Sequence, residues 1–186
     1  MSRAERGSRE ARAAAIERAV AAIGPPGAGV ADVARTALAA WIEGIVDWNA
    51  RIDLTAARSD DELVDLMIAD ALILARHVPR GARFVDVGSG AGAPGLALAI
   101  VRSDLEGVLV EPLDKRVAFL RRSIGALTSH LGSRVTVVRG RGEPLVAQGE
   151  SPEIQGWRVA DDLPYAWPLT GASRRALRFV PAEAAT

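Results

Sequence analysis

The chain has 186 residues, 49% of them hydrophobic and 25% charged, with a formal net charge of zero. That is ample for one domain with its own core, and neutrality excludes the globally basic surface that would by itself point to nucleic acid. No cysteine is present, which excludes disulfides, thiolate nucleophiles and zinc–thiolate sites, and no apolar run reaches the ~18–20 residues of a membrane span.

In chain order, the N-terminal stretch MSRAERGSREARAAAIERAVAAIG lacks an apolar signal core, and Glu5, Glu10 and Glu17 argue against a transit peptide. A cytoplasmic protein is expected. Residues 8–22 carry Ala, Ile and Val at helical spacing and stop at GPPG, a strong breaker. GVADVARTALAAWIEGIVDWN predicts a long amphipathic helix over about 31–48, and Ser59 followed by Glu62 matches a capping box opening a third helix over about 60–77. From Pro79 the pattern changes to strand ARFVDV, helix APGLALAIV, strand GVLVE, helix DKRVAFLRRSIGALTSHL and strand SRVTVVR. Such alternation predicts a parallel sheet with right-handed crossovers. Two last strands are expected near 157–160 and 175–180, joined by a proline-rich loop. The organisation expected is a helical extension over 1–78 packed on an α/β, Rossmann-like core over 79–186.

The segment DVGSGAGAPG stands between a strand and a helix, at the carboxyl end of the first strand, where open parallel sheets bind their ligands. Glycines there let a ligand approach the main chain without Cβ atoms in the way. The P-loop pattern is absent, whereas Gly90, Gly92 and Gly95 satisfy G-x-G-x-x-G, so a dinucleotide fits the spacing. Asp86, two residues before Gly88, would repel a pyrophosphate and suits an ammonium such as the α-amino group of S-adenosylmethionine. Glu111 ends the second strand, where an acid accepts hydrogen bonds from ribose hydroxyls. The alternative for both acids is a helix cap or a solvated strand end.

WNARIDLTAARSDDELVDLMIADAL, FVDVGSGAGAPGLALAIVR, VEPLDKRVAFLR and VVRGRGEPL resemble the bacterial 16S rRNA guanine-N7 methyltransferases, also called glucose-inhibited division protein B; LPYAWPLTGASRRALRFV is similar to that family's closing strands. The resemblance implies a class I S-adenosylmethionine-dependent methyltransferase sheet, acting on 16S rRNA or the small ribosomal subunit. It implies Asp86, Gly88, Ser89, Gly90 and Gly92 at the methionine end of the cofactor and Glu111 at the ribose. The main chain of Arg141, Gly142 and Glu143 would flank the adenine. Lys115 and Arg116 match the family's basic pair, and Arg121, Arg122, Arg174 and Arg175 join them as candidate RNA contacts. No metal and no membrane partner is implied, and a monomer is expected.

The chain also departs from the family. Asp53-Leu54-Thr55 replaces Asn-Leu-Thr, and Met67 replaces a histidine, although Asp70 is kept. Only residues 144–156 separate the third strand's loop from Trp157, too few for the strand-helix-strand unit of on the order of 30 residues that the family places there. Either the last two strands move inward to close the sheet, or the pocket is incomplete. Guanine N7 carries a free lone pair in the major-groove edge, so methyl transfer to it needs no general base, and none is assigned. His77 and His130 are read as capping or surface residues, and Trp41 and Trp48, seven apart, as a core face. Besides the rRNA methyltransferase, the alternatives are a relative that binds cofactor or RNA without transfer, a small-molecule methyltransferase and a nicotinamide-dependent oxidoreductase.

Overall fold

The structure, a computed structural model, describes residues 3–23, 29–140 and 157–181. Helix α1 (Arg3–Ile23) buries Ala15, Ile16, Ala19 and Val20. The buried face of α2 (Asp32–Asn49) is Ala34, Ala37, Leu38, Trp41, Ile42 and Ile45, an i, i+3, i+4, i+7 stripe. The two helices are tied by the Arg12 guanidinium, which donates to both oxygens of Glu43 at 2.7 and 2.8 Å and to Asp60 at 3.3 Å. After α2 the chain folds back because the Asn49 side chain accepts from the Leu54 and Thr55 N–H groups.

The third helix starts as expected and then deviates. Ser59 Oγ accepts from the Glu62 N–H at 3.1 Å, while the Glu62 carboxylate reaches back to the Arg58 N–H at 2.8 Å. Segment α3 (Asp60–Val64) runs through a π-helical turn (Asp65–Ala69) into α4 (Asp70–Leu74). Residues five apart on a regular α-helix lie about 140° apart around the axis. The wider π turn brings them towards one side, and here those residues are Asp65 and Asp70.

The core sheet has three parallel strands in the order β1 (Arg83–Val87), β2 (Glu106–Glu111), β3 (Val135–Arg139). Helix α5 (Gly95–Val101) joins the first pair; α6 (Asp114–Ala126) and the short α7 (Thr128–Leu131) join the second. Both crossovers step the same way across the sheet, so their helices cover one face. On that face Leu109 and Val135 are buried and Phe84 and Val137 pack on the core. On the other, Val85 is 62% exposed and Val87 and Val138 nearly half exposed. Helices α1 to α4 lie over the covered side and share one apolar cluster with α5 and α6.

The closing strands are longer than expected: β4 (Trp157–Ala166) and β5 (Ser173–Pro181) pair antiparallel as a separate two-stranded sheet. The sequence reading placed the proline-rich stretch in a loop, yet Asp161–Ala166 belongs to β4. A two-stranded hairpin has only edge strands, where Pro164 can sit without removing an inner ladder bond. Neither strand pairs with β1, whose outer edge has no strand partner among the described residues. Moving the last strands inward is therefore not how this fold responds to its short connection.

Candidate functional site

The glycine loop is built by three elements at once. As β1 ends, the Gly88 and Ser89 N–H groups donate to the Val110 carbonyl of β2, carrying the chain across the strand ends. The Glu111 carboxylate, only 2% exposed, accepts from the Gly90 N–H at 2.9 Å and from the Leu113 N–H at 2.9 Å. From above, the Trp41 indole N–H donates to the Ala91 carbonyl at 3.2 Å. The loop is thus pinned from β2, from the start of α6 and from α2.

Two glycines are required by space. At Gly92 φ is +110°, and a Cβ would lie 2.9 Å from Leu96 Cβ and 3.2 Å from the Trp41 ring. At Gly95 a Cβ would fall 2.5 Å from Asp86 Oδ2 and 2.8 Å from Leu109, so α5 could not come this close to β1 with any larger residue. Gly88 differs: φ is +82°, and a Cβ there would meet nothing within 4 Å. Its side of the loop is open.

Asp86 faces the helical layer and accepts from the Gly95 N–H at 3.1 Å, so it caps α5. Burial holds its carboxyl above the usual range, the charge of Glu111 pushes the same way, and the Gly95 bond opposes both. The loop therefore lies between two carboxylates, each already committed to one main-chain amide or two. Carboxylate oxygens carry about four lone-pair sites in all, so these bonds leave acceptor capacity for a ligand. Leu113, at the start of α6, is about half exposed beside them. The residues present fit a cationic, hydroxyl-bearing ligand: acids rather than bases flank an open main-chain cradle, and an apolar side chain stands next to it.

Of the remaining candidates, Arg141, Gly142 and Glu143 lie outside the described residues. Lys115 and Arg121 are exposed on α6. Arg116 donates to the Asp53 carbonyl at 3.3 Å, which ties α6 to the loop after α2. Arg122 lies over the Trp48 ring, which also packs against Phe119. Arg174 stacks on Trp167 with its guanidinium carbon 3.8 Å from the ring centroid, and Arg175 pairs with Asp162. The two basic groups thus sit on different elements, α6 and the hairpin. His130 Nε2 bonds with the Ile100 carbonyl at 2.8 Å, and His77 is exposed after α4. Among the described residues no group of three or more His, Cys, Asp or Glu could hold a metal ion, and no helix is long and apolar enough to cross a membrane.

Sequence reasoning passed over Trp41 as a loop anchor and Asp65 altogether. The signal for Asp65 was available: an acid inside the apolar run LVDLMIADALILA must find a partner if that run is buried.

A family model described as rRNA small subunit methyltransferase G matches residues 34–154. A ribosomal RNA small subunit methyltransferase G of Salinispora arenicola is 45% identical over 100 residues, covering 54% of this chain and 40% of the relative. A protein of the same description from Aeromonas salmonicida is 38% identical over 114 residues (61% and 53%). Another, from Anaeromyxobacter dehalogenans, is 35% identical over 147 residues (79% and 62%). The chain spans about half the length of the curated relatives it matches.

Proposed function

The chain belongs to the rRNA small subunit methyltransferase G family, and on that footing we propose that it transfers a methyl group from S-adenosylmethionine to N7 of a guanine in 16S rRNA. The observation that carries this reading is the acid-flanked loop: Asp86 and Glu111 both bond its main chain while the Gly88 side stays open. Asp86, Gly88, Ser89, Gly90 and Gly92 would hold the methionine end of the cofactor. Glu111 would accept from the ribose hydroxyls through its spare lone pairs. When bound, S-adenosylmethionine supplies an electrophilic methyl group on a sulfonium.

What the protein contributes is orientation. An in-line displacement by the lone pair of N7 needs no base to take a proton. Holding the reactants in line is worth roughly 7–11 kcal/mol of barrier. The rigidity for that comes from the pinned loop, in which Trp41, Val110 and Glu111 fix consecutive main-chain groups. The three-stranded sheet, whose β1 edge has no strand partner among the described residues, supports a second reading: the chain binds cofactor or RNA without transferring the methyl group.

One assay separates the two. Full chain is incubated with methyl-labelled S-adenosylmethionine and either 16S rRNA or small subunits, and the label is mapped. The expected result is incorporation at one guanine, at N7. Calorimetric cofactor binding with no label transferred would establish the second reading; no cofactor binding at millimolar concentration would remove the methyl-transfer reading and leave only the RNA-contact form of the second.

A further inference from the structure

Between the hairpin turn and the helical layer, the described hydrogen bonds all end on two carboxylates of one helix. Asp65, wholly buried in the π turn, accepts from the Leu169 N–H at 3.2 Å, from the Thr170 N–H at 2.7 Å and from the Thr170 hydroxyl at 2.8 Å. Asp70 accepts on one oxygen from the Tyr165 hydroxyl at 2.7 Å and from the Trp167 indole N–H at 2.6 Å. A buried carboxylate such as that of Asp65 is costly unless hydrogen-bonded, so this grip is strong. It is also specific in direction, because Asp70 sets both rings that frame Arg174. Tyr165 is the cross-strand partner of Arg174, and Trp167 lies beneath its guanidinium at 3.8 Å. Stacking fixes an arginine while leaving its edge donors outward. Arg174 is itself exposed, whereas neighbouring Arg175 is engaged by Asp162.

We propose that Asp65 and Asp70 are positioning residues for RNA: they clamp the β4–β5 turn so that Arg174, stacked on Trp167, meets a phosphate of the substrate. The inference rests on the rRNA reading above and assigns that reading a contact surface. The π turn is the device, since a regular helix would point the two carboxylates apart. Among the described residues the hairpin pairs with no strand of the core sheet, and its hydrogen bonds to the helical layer come from residues at and beside the turn.

The test uses full chain and a 16S rRNA fragment, with Asp70→Ala, Asp70→Asn, Asp65→Ala, Tyr165→Phe, Arg174→Ala and the Asp70→Ala/Arg174→Ala pair. Amide hydrogen exchange at Leu169 and Thr170 reads the clamp, RNA titration reads the contact, and S-adenosylmethionine calorimetry reads the rest of the site. Asp65→Ala and Asp70→Ala are expected to speed exchange, weaken RNA binding about tenfold and leave cofactor affinity unchanged. Arg174→Ala should weaken RNA binding equally with exchange still slow, and the double variant should be no worse than either single. Asp70→Asn, which retains an acceptor oxygen, should restore most of the affinity. Tyr165→Phe, which loses one of the two bonds to Asp70, gives an intermediate result if Asp70→Ala does not fold. RNA affinity unchanged in a variant with fast exchange overturns the proposal, as do additive effects of Asp70 and Arg174. A wild-type chain that binds cofactor but no RNA overturns the rRNA reading itself, a distinct result.

Discussion

Asp86 does two things at one position. Its carboxylate caps α5 through the Gly95 N–H, and burial raises its pKa from the ordinary 3.8. In the folded protein its ionisation is therefore disfavoured, so this group's contribution to stability declines as pH rises from about 3.8 through the raised folded value. A bound ammonium reverses the preference and favours the ionised form. Affinity for S-adenosylmethionine is accordingly expected to increase with pH through that raised value and to fall again only when the ligand's amino group titrates, near pH 8 by the usual α-amino range. Asp86→Asn keeps an oxygen for the Gly95 N–H and should abolish the acid limb while weakening binding about tenfold at neutral pH. Calorimetry of both proteins between pH 4 and 9 checks this; an unchanged acid limb in the variant would detach Asp86 from the ligand. The sequence reading offered ammonium partner or helix cap as alternatives. The cap is observed, and the two are compatible because one carboxylate has lone pairs for both.

At the scale of elements, the loop between β1 and α5 has two sides with different demands. Its inner side touches Trp41 and Leu96, and its outer side at Gly88 is open. Gly92→Ala combines an unfavourable positive φ with overpacking, together roughly 2–5 kcal/mol of stability. Gly88→Ala meets only the backbone penalty, about 1 kcal/mol, yet places a methyl group where the ligand would lie. Urea unfolding should therefore rank Gly92→Ala as the more destabilised, and cofactor titration should show Gly88→Ala losing affinity beyond its small stability loss. The reverse ranking would mean that the open side is not the binding side. Glycine spacing alone announced the loop. That Gly92 answers to packing while the Gly88 side stays open depends on α2, more than forty residues away in the chain.

For the whole molecule the two faces of the core sheet separate sharply. Parallel sheets are normally covered on both sides, but here the helices occupy one, with Leu109 fully buried beneath them and Val85 exposed opposite. Leu109→Ala is expected to cost about 2–5 kcal/mol, and Val85→Thr to stay within about 0.5 kcal/mol. Denaturant titration of the two variants of the full chain measures the contrast; a large loss for Val85→Thr would show that this face is covered in solution. Among the described residues, the exposed face and the unpaired β1 edge go with one fact: β4 and β5 form their own hairpin and are held at the turn by Asp65 and Asp70.

What the sequence determined alone was whatever rests on local pattern. Alternating apolar runs predicted three parallel strands and their helices, Ser59 and Glu62 placed a helix start, and glycines after FVDV located the loop at the strand end. Each depends on a few neighbouring residues and on backbone preferences that act wherever those residues occur. The tertiary structure alone decided the π turn, the carriage of the loop by Trp41 and Glu111, and the separate hairpin gripped by buried Asp65 and partly buried Asp70. Those features depend on which distant groups a buried polar atom reaches once the chain is packed, because a carboxylate removed from water takes the nearest donors the fold supplies.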